Sequence, residues 1–389
     1  MRDVAGEIRI GVIGAGGRGG LARHAHNPED GVRLVAAADP EKEVLETFKE
    51  KYDANFVTAD YRELVARDDI DAVFICSPDY AHETQAIAAL ETGKSVYLEK
   101  PLAITIEGCD RILEAACRTK GKLCIGHNMR HMQSVLTMKR LIDEGAIGQV
   151  KAGWCRHFVG HGGDFYFKDW HADRTKSNSL LLQKAAHDID VLHWLCGGYS
   201  KRITGMGGLT VYGEISERVG DGTFKGCDPS HWPPLTQTGF NPVVDVEDLS
   251  MMLMQLDNGV FCSYQQCHYT PDYWRNYTII GTEGRLENFG VMGDDAVVRV
   301  WNKRCGYNAD GDITVPVASG TAGHGGADEL IVAEFIRYLR GECQPSTSAL
   351  AARYSVAAGC MAADSLRNGS APRDVPAVSA EIQEYFTAT

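Results

Sequence analysis

A short apolar run, Ile8 to Ile13, stops abruptly at Gly14-Ala15-Gly16-Gly17-Arg18-Gly19. Comparable runs recur at Val32 to Ala38, Asp71 to Cys76, Ser95 to Leu98 and Leu123 to Gly126, each too short for a helix and each read as a buried strand. Segments with helical character separate them: Gly17 to His26, Glu41 to Tyr52, Tyr61 to Ala66, His82 to Thr92 and Ile106 to Thr119. Strands alternating with helices predict a parallel, doubly wound Rossmann sheet over residues 1–130.

After Gly148 the pattern changes. Short alternating segments, such as Met251 to Leu256 and Phe261 to Gln266, flank Asn258-Gly259, a hairpin signal. The stretch Ser179 to Leu195 reads as a strand-like apolar start leading into a helix, and two late helices are predicted near Ala327 to Arg340 and Leu350 to Leu366. Gly220 to Asn241, rich in Gly, Pro and Thr, reads as a long loop or lid. The predicted fold class is α/β. An N-terminal Rossmann domain (1–130) precedes an α+β domain with a large open, mainly antiparallel sheet (131–370), and a tail (371–389) packs back on the protein.

Between a strand and a helix, G-x-G-x-x-G has a physical use. Gly14 permits the tight turn, Gly16 lets the backbone approach a pyrophosphate, and Gly19 allows close helix–strand packing. A glycine-rich turn without a ligand has the same spelling. Asp39, at the end of the second strand, adds the context, because a carboxylate there accepts both ribose hydroxyls and repels a 2′-phosphate. NAD is therefore expected over NADP. Ser77, Glu99, Lys100 and Asn128 fall at later strand ends, where such sheets bind ligands.

Composition narrows the class. Among 389 residues, 44% are hydrophobic and 23% charged, with a net charge of −13, so nucleic acid and anionic membranes are not expected partners. Met1 to Glu7 lacks a signal-peptide core, and no apolar stretch is long enough to span a bilayer. The expected address is the cytoplasm. Twelve scattered cysteines without a C-x-x-C pair read as reduced core thiols, with no metal site.

Glu99-Lys100-Pro101, Cys76-Ser77-Pro78, Gly126-His127-Asn128-Met129-Arg130, His187-Asp188-Ile189-Asp190, Gly281-Thr282-Glu283-Gly284 and Ser365 to Gly369 follow the glycine motif in a specific order. With them the chain resembles the Gfo/Idh/MocA oxidoreductases along nearly its whole length. The resemblance implies NAD held by Gly14, Gly16, Gly17, Arg18, Gly19, Asp39, Ser77, Pro78, His82, Glu99, Lys100 and Asn128. It implies catalysis by Lys100 and by His187 as general base, with Lys184 beside them on a helix face. A lone lysine or helical histidine is otherwise a surface or structural group. Asp190 either orients this helix or the imidazole, or has a simple surface or capping role. Where inositol-dehydrogenase-like members carry an Asp, this chain has Gln183 followed by Lys184, so its proton relay differs.

Substrate contacts are expected from Lys100, Arg130, Arg156, Tyr166, Trp170, Arg174, Lys184 and His187. Aromatic faces and donors suit a carbohydrate, and the cations hint at an anionic one, though an ordinary charged loop reads the same. The implied activity is NAD-linked oxidation at a ring carbon of a sugar, glycoside or cyclitol. Two alternatives stay open: a redox-neutral glycosidase that oxidises transiently, and a non-catalytic NAD or sugar sensor. A homo-oligomer, dimer or tetramer, is expected through the open sheet face.

Overall fold

The computed structural model describes residues 7–219, 226, 228–318 and 323–388. Met1 to Gly6, Cys227 and the first part of the expected Gly220 to Asn241 loop lie outside them. The chain forms two compact units. The first comprises residues 1–131, 322–353 and 377–389, and the second comprises 132–321 and 354–376.

The first unit is built on six parallel strands, β1 (Ile8–Ile13), β2 (Val32–Ala38), β3 (Phe56–Thr58), β4 (Ala72–Ile75), β5 (Ser95–Leu98) and β6 (Leu123–Ile125), in the order β3-β2-β1-β4-β5-β6. Helices α1 (Lys42–Tyr52), α2 (Tyr61–Val65), α3 (His82–Glu91) and α4 (Ile106–Thr119) alternate with them. Because helices cover such a sheet, its strands are apolar without alternation, and all four residues of β4 are buried. The segment after the glycine turn is a 3-10 helix, Gly17–Ala25, and not the α-helix expected to His26. Its three glycines and uncapped start disfavour the α form.

In the second unit, α5 (Gln133–Asp143) leads to β7 (Val150–Val159) and four helices: α6 (Gly162–Tyr166), α7 (Arg174–Ser177), α8 (Leu180–Gln183) and α9 (Ala186–Cys196). Strands β8 (Ser200–Gly208), β9 (Leu249–Leu256), β10 (Phe261–Cys267), β11 (Tyr273–Gly281), β12 (Arg285–Phe289), β13 (Val297–Trp301), β14 (Ile313–Pro316) and β15 (Arg373–Asp374) complete a nine-stranded sheet. Its order is β14-β13-β12-β11-β7-β10-β9-β8-β15, antiparallel except where β10 runs parallel to β7. The Asn258-Gly259 hairpin joins β9 and β10 as expected. Leu180–Gln183 is helical where a strand-like start was expected, because the Ser179 hydroxyl accepts from the Leu182 amide and caps α8.

α9 covers one face of this sheet: a side chain added at Gly153 of β7 would strike Cys196 and Leu192. The other face is open and shows Trp154, Leu253 and Phe261 at 48%, 64% and 61% exposure.

The domain division differs from the sequential one expected. The chain returns to the first unit in α10 (Ala327–Leu339), whose Ile331, Val332 and Phe335 join the Rossmann core. Phe335 packs edge-on against Phe74 and Tyr97, with ring centroids 5.3 and 5.6 Å away. α11 (Ala349–Arg367) divides between the units at Arg353, and α12 (Ala380–Ala388) belongs to the first. Helical periodicity locates α10 in sequence; only tertiary packing says which core it completes.

Candidate active site

The glycine turn is tight because the backbones around it touch. A Cβ on Gly14, whose φ is +77°, would stand 2.7 Å from the Ser77 amide nitrogen, and one on Gly19 would stand 2.0 Å from the Gly14 carbonyl oxygen. Gly17 also has positive φ, and space is open around it. Asp39 is registered on this turn: its Oδ2 accepts from the Gly16 amide at 3.2 Å and its Oδ1 from the Glu41 amide at 3.0 Å. Each oxygen retains a second lone pair for a hydroxyl donor. These residues fit an adenosine ribose and a pyrophosphate.

Arg18 and Glu99, both expected at the cofactor, also tie the unit together. The Arg18 Nε donates to Glu99 at 2.8 Å, and its two terminal nitrogens make a bidentate pair with Asp328 of α10 at 2.8 and 2.9 Å. Burial works against the guanidinium charge, yet Glu99 and Asp328 prevail and raise its pKa. Asn128 donates to the same Asp328 carboxylate at 2.7 Å. Sequence reasoning missed Asp328, which lies 200 residues beyond its partner and in no nucleotide motif.

Ser77 Oγ donates to Gln85, and Pro78 follows it in the loop after β4. His82 is fully buried, with Nδ1 2.7 Å from the Pro101 carbonyl and Nε2 3.0 Å from that of Ser77. It braces the loops that carry Ser77 and Pro101. Burial lowers its pKa although both carbonyls favour the proton. Lys100 lies two residues past the end of β5, its amide donating to the Glu99 carboxylate at 3.1 Å, and is joined to Pro101 by a cis peptide. Arg130, expected to meet substrate, is buried and donates to the Ser346 carbonyl at 2.8 Å.

In the second unit His187 lies in the first turn of α9 and is buried. Lys184 terminates α8 instead of sharing a continuous helix with His187, and its Nζ stands 5.4 Å from the centre of the Tyr166 ring. Gln183 and Asp190 are buried, so Asp190 is not a surface group.

Behind His187, the next residue in α9 anchors a buried polar cluster. The register of β7, β10 and β11 sets His157 beside Arg275, and Tyr264 and Tyr277 across Cys155, all facing α9. Asp188 receives them: His157 Nδ1 is 2.9 Å away, Arg275 Nε 3.1 Å and the Tyr264 hydroxyl 3.0 Å, with the Tyr277 hydroxyl also donating. Burial alone would raise the Asp188 pKa, but Arg275 and His157 hold it well below the usual carboxylate range. Burial, reinforced by Arg275, lowers His157 to about 3, so this ring is neutral and its Nδ1 carries the proton given to Asp188.

Strand alternation decides where Arg156 lies. It neighbours His157 in β7 but projects to the open face, where it donates to Asn276 at 3.1 Å and lines a groove of about 540 Å3. Arg174 starts α7, bonds the Asp245 carbonyl at 2.6 Å and faces Glu247. Trp170 stacks on His171 with centroids 3.8 Å apart. Tyr166 is buried with its ring edge-on to His171 and His268. Within the second unit the structure thus brings Tyr166 and Lys184 together, whereas Arg156 and Arg174 are held on different elements by different partners.

Among the described residues no group of three or more His, Cys, Asp or Glu could hold a metal ion, and no helix is long and apolar enough to cross a membrane. The eleven described cysteines are thiols.

Two family models match in succession: "Oxidoreductase family, NAD-binding Rossmann fold" over residues 8–127 and "GFO/IDH/MocA C-terminal domain" over 135–287. An inositol 2-dehydrogenase/D-chiro-inositol 3-dehydrogenase of Halalkalibacterium halodurans is 36% identical over 193 residues, 48% of this chain and 52% of that protein. A 2,7-anhydro-N-acetylneuraminate hydratase of Mediterraneibacter gnavus is 32% identical over 208 residues, 53% of this chain and 54% of its own. The matches to these curated relatives thus span about half of their length. A solved levoglucosan dehydrogenase, in complex with NADH, has the same fold, with a TM-score of 0.76 at 21% identity over 95% of this chain and 99% of its own. With an NAD-binding Rossmann unit followed by the matching C-terminal domain, the chain belongs to the GFO/IDH/MocA oxidoreductase family.

Proposed function

We propose that the protein oxidises a ring secondary alcohol of a sugar, glycoside or cyclitol with NAD. The observation that carries this reading is Asp39 fixed on the Gly16 amide beside a glycine turn that tolerates no side chain at Gly14 or Gly19. The names of the relatives supply the substrate class. NAD, when bound, takes up the hydride lost by the carbinol carbon. The chain supplies His187 as the base for the hydroxyl proton and Lys100 as the cation that steadies the developing alkoxide. Lys184, with its charge over Tyr166, tunes the proton affinity of that site. Asp188 is a positioning residue that fixes the first turn of α9 on the sheet.

A redox-neutral reading is favoured by Gln183, which cannot act as a carboxylate, and by the relative named a hydratase. In it, transient oxidation acidifies a neighbouring C–H, a substituent leaves, water adds and the ketone is reduced again. The open sheet face, with Leu253 and Phe261 exposed, is assigned to a homo-oligomer interface, and a cytoplasmic setting suits the thiols.

The test is purification, release and identification of any bound nucleotide, then a panel of free sugars, cyclitols and aryl glycosides. Absorbance at 340 nm and aglycone release are followed together. Net NADH in step with substrate oxidised supports the dehydrogenase. Aglycone release without net NADH supports the redox-neutral reading, and ligand binding without either reaction leaves a sensor. His187→Gln should lower kcat by about 10²- to 10⁴-fold. An unchanged turnover and pH profile in Lys184→Ala would remove Lys184 from the chemistry.

A further inference from the structure

A cavity of about 330 Å3 opens in the second unit between the start of α6 and the segment around two short 3-10 turns, Pro229–His231 and Pro234–Thr236. Asp164 of α6 holds these walls together. Its Oδ1 lies 2.5 Å from His231 Nδ1 and 3.1 Å from Lys168 Nζ, and its Oδ2 accepts from the Asp228 amide at 3.4 Å. Asp164, Asp228 and Asp272 line the space, and no Lys or Arg is among its described lining residues. Trp232 and Tyr273 contribute flat apolar faces, and Trp232 is 48% exposed. Gln237, also lining the cavity, is only 5% exposed, and its Oε1 has no hydrogen-bond partner. A buried acceptor left in that state costs free energy that a ligand donor would recover.

We propose that this cavity is a subsite for an uncharged, polyhydroxylated ring of the substrate, which lays a C–H face on Trp232 and donates hydroxyl hydrogens to the carboxylates and to Gln237. Aromatic faces beside acceptors are what such a ring requires. A carboxylate, phosphate or sulfate on the same ring would meet acidic walls. Burial, with Lys184 next in effect, pushes the pKa of lining His161 down to about 4, so that ring brings no positive charge near neutral pH. The inference rests on the proposed oxidation of a sugar or cyclitol and adds the charge class of its substrate.

The full chain with NAD is assayed with paired probes: D-glucose and D-glucuronate, D-galactose and D-galacturonate, methyl α-D-glucoside and its 6-sulfate. NADH formation and ligand-induced tryptophan fluorescence are both recorded. The uncharged members should be preferred by about tenfold or more in kcat/KM. Trp232→Ala and Gln237→Ala should each raise KM for them about tenfold with kcat changed less than about twofold, since neither residue touches the reacting atoms. The fluorescence response should vanish in Trp232→Phe. A preference for the charged members, or a KM unmoved in both variants, overturns the subsite and leaves the oxidation intact. A Trp232-dependent response to uncharged sugars without any turnover upholds the subsite and overturns the proposed oxidation. Neither turnover nor response overturns both.

Discussion

The Oδ2 of Asp39 accepts a hydrogen bond from the Gly16 amide at 3.2 Å, so the end of β2 is fixed to the turn that follows β1. The carboxylate proposed for the ribose and the turn proposed for the pyrophosphate are thereby set in one geometry. Asp39→Ala should weaken NAD binding roughly tenfold to a hundredfold, the loss of one or two charge-assisted hydrogen bonds. Calorimetric titration with NAD and NADP checks this. The variant should also discriminate less between the two, because the charge that repels a 2′-phosphate is gone.

Asp188 and Arg275 form a buried ion pair at 3.1 Å within a fully satisfied carboxylate site. Removing one partner leaves the other charged and uncompensated. Asp188→Asn should cost about 3–5 kcal/mol in a denaturant titration. Pairing Asp188→Leu with Arg275→Met should cost less than Asp188→Asn alone, since it leaves no unpaired buried charge.

Acid should weaken the second unit earlier than its carboxylates alone would dictate. His157 has its pKa in the fold lowered to about 3, against about 6.5 when unfolded. The unfolded chain therefore binds the extra proton between these values, and stability falls as pH drops from about 6.5 towards about 3. Asp188, also lowered, adds a further loss only below about pH 4, where the unfolded carboxylate protonates. The His157 contribution amounts to a few kcal/mol, on the order of 1.4 per pH unit across the window. His157→Gln should flatten the slope of unfolding free energy between pH 4 and 6.5, measured by urea titration at each pH.

Phe261 and Leu253 stand exposed on the open sheet face. If that face joins subunits, Phe261→Lys should shift the particle to the monomer mass by light scattering, with the circular dichroism spectrum unchanged. An unchanged mass would place the interface elsewhere or show that the protein is monomeric.

The Rossmann unit was legible because its signals are local. β5 and α4 follow directly from apolar runs and turn residues, and the glycine motif with Asp39 marks the cofactor end. The short edge strand β3 carries no such run and was missed. The Asp188 cluster was not legible, since it depends on the register that brings His157, Arg275, Tyr264 and Tyr277 together from three strands. Arg156 shows a signal that was present and unused: adjacent residues of one strand face opposite ways, so Arg156 and His157 project to opposite faces of the sheet. Ser179 likewise announced a helical turn, as a serine ahead of a buried Leu-Leu-Leu run.

Phe335 of α10 covers Phe74 and Tyr97, yet the ribosome makes them far apart in time. At about 5–20 residues per second, roughly 200 residues between His131 and α10 take on the order of ten to forty seconds. During that interval β4 and β5 exist without the helix that shields them. The nascent chain must therefore hold an exposed aromatic surface while residues 132–321 of the second unit are being synthesised, which makes it a natural client for chaperones that bind apolar segments at the exit tunnel.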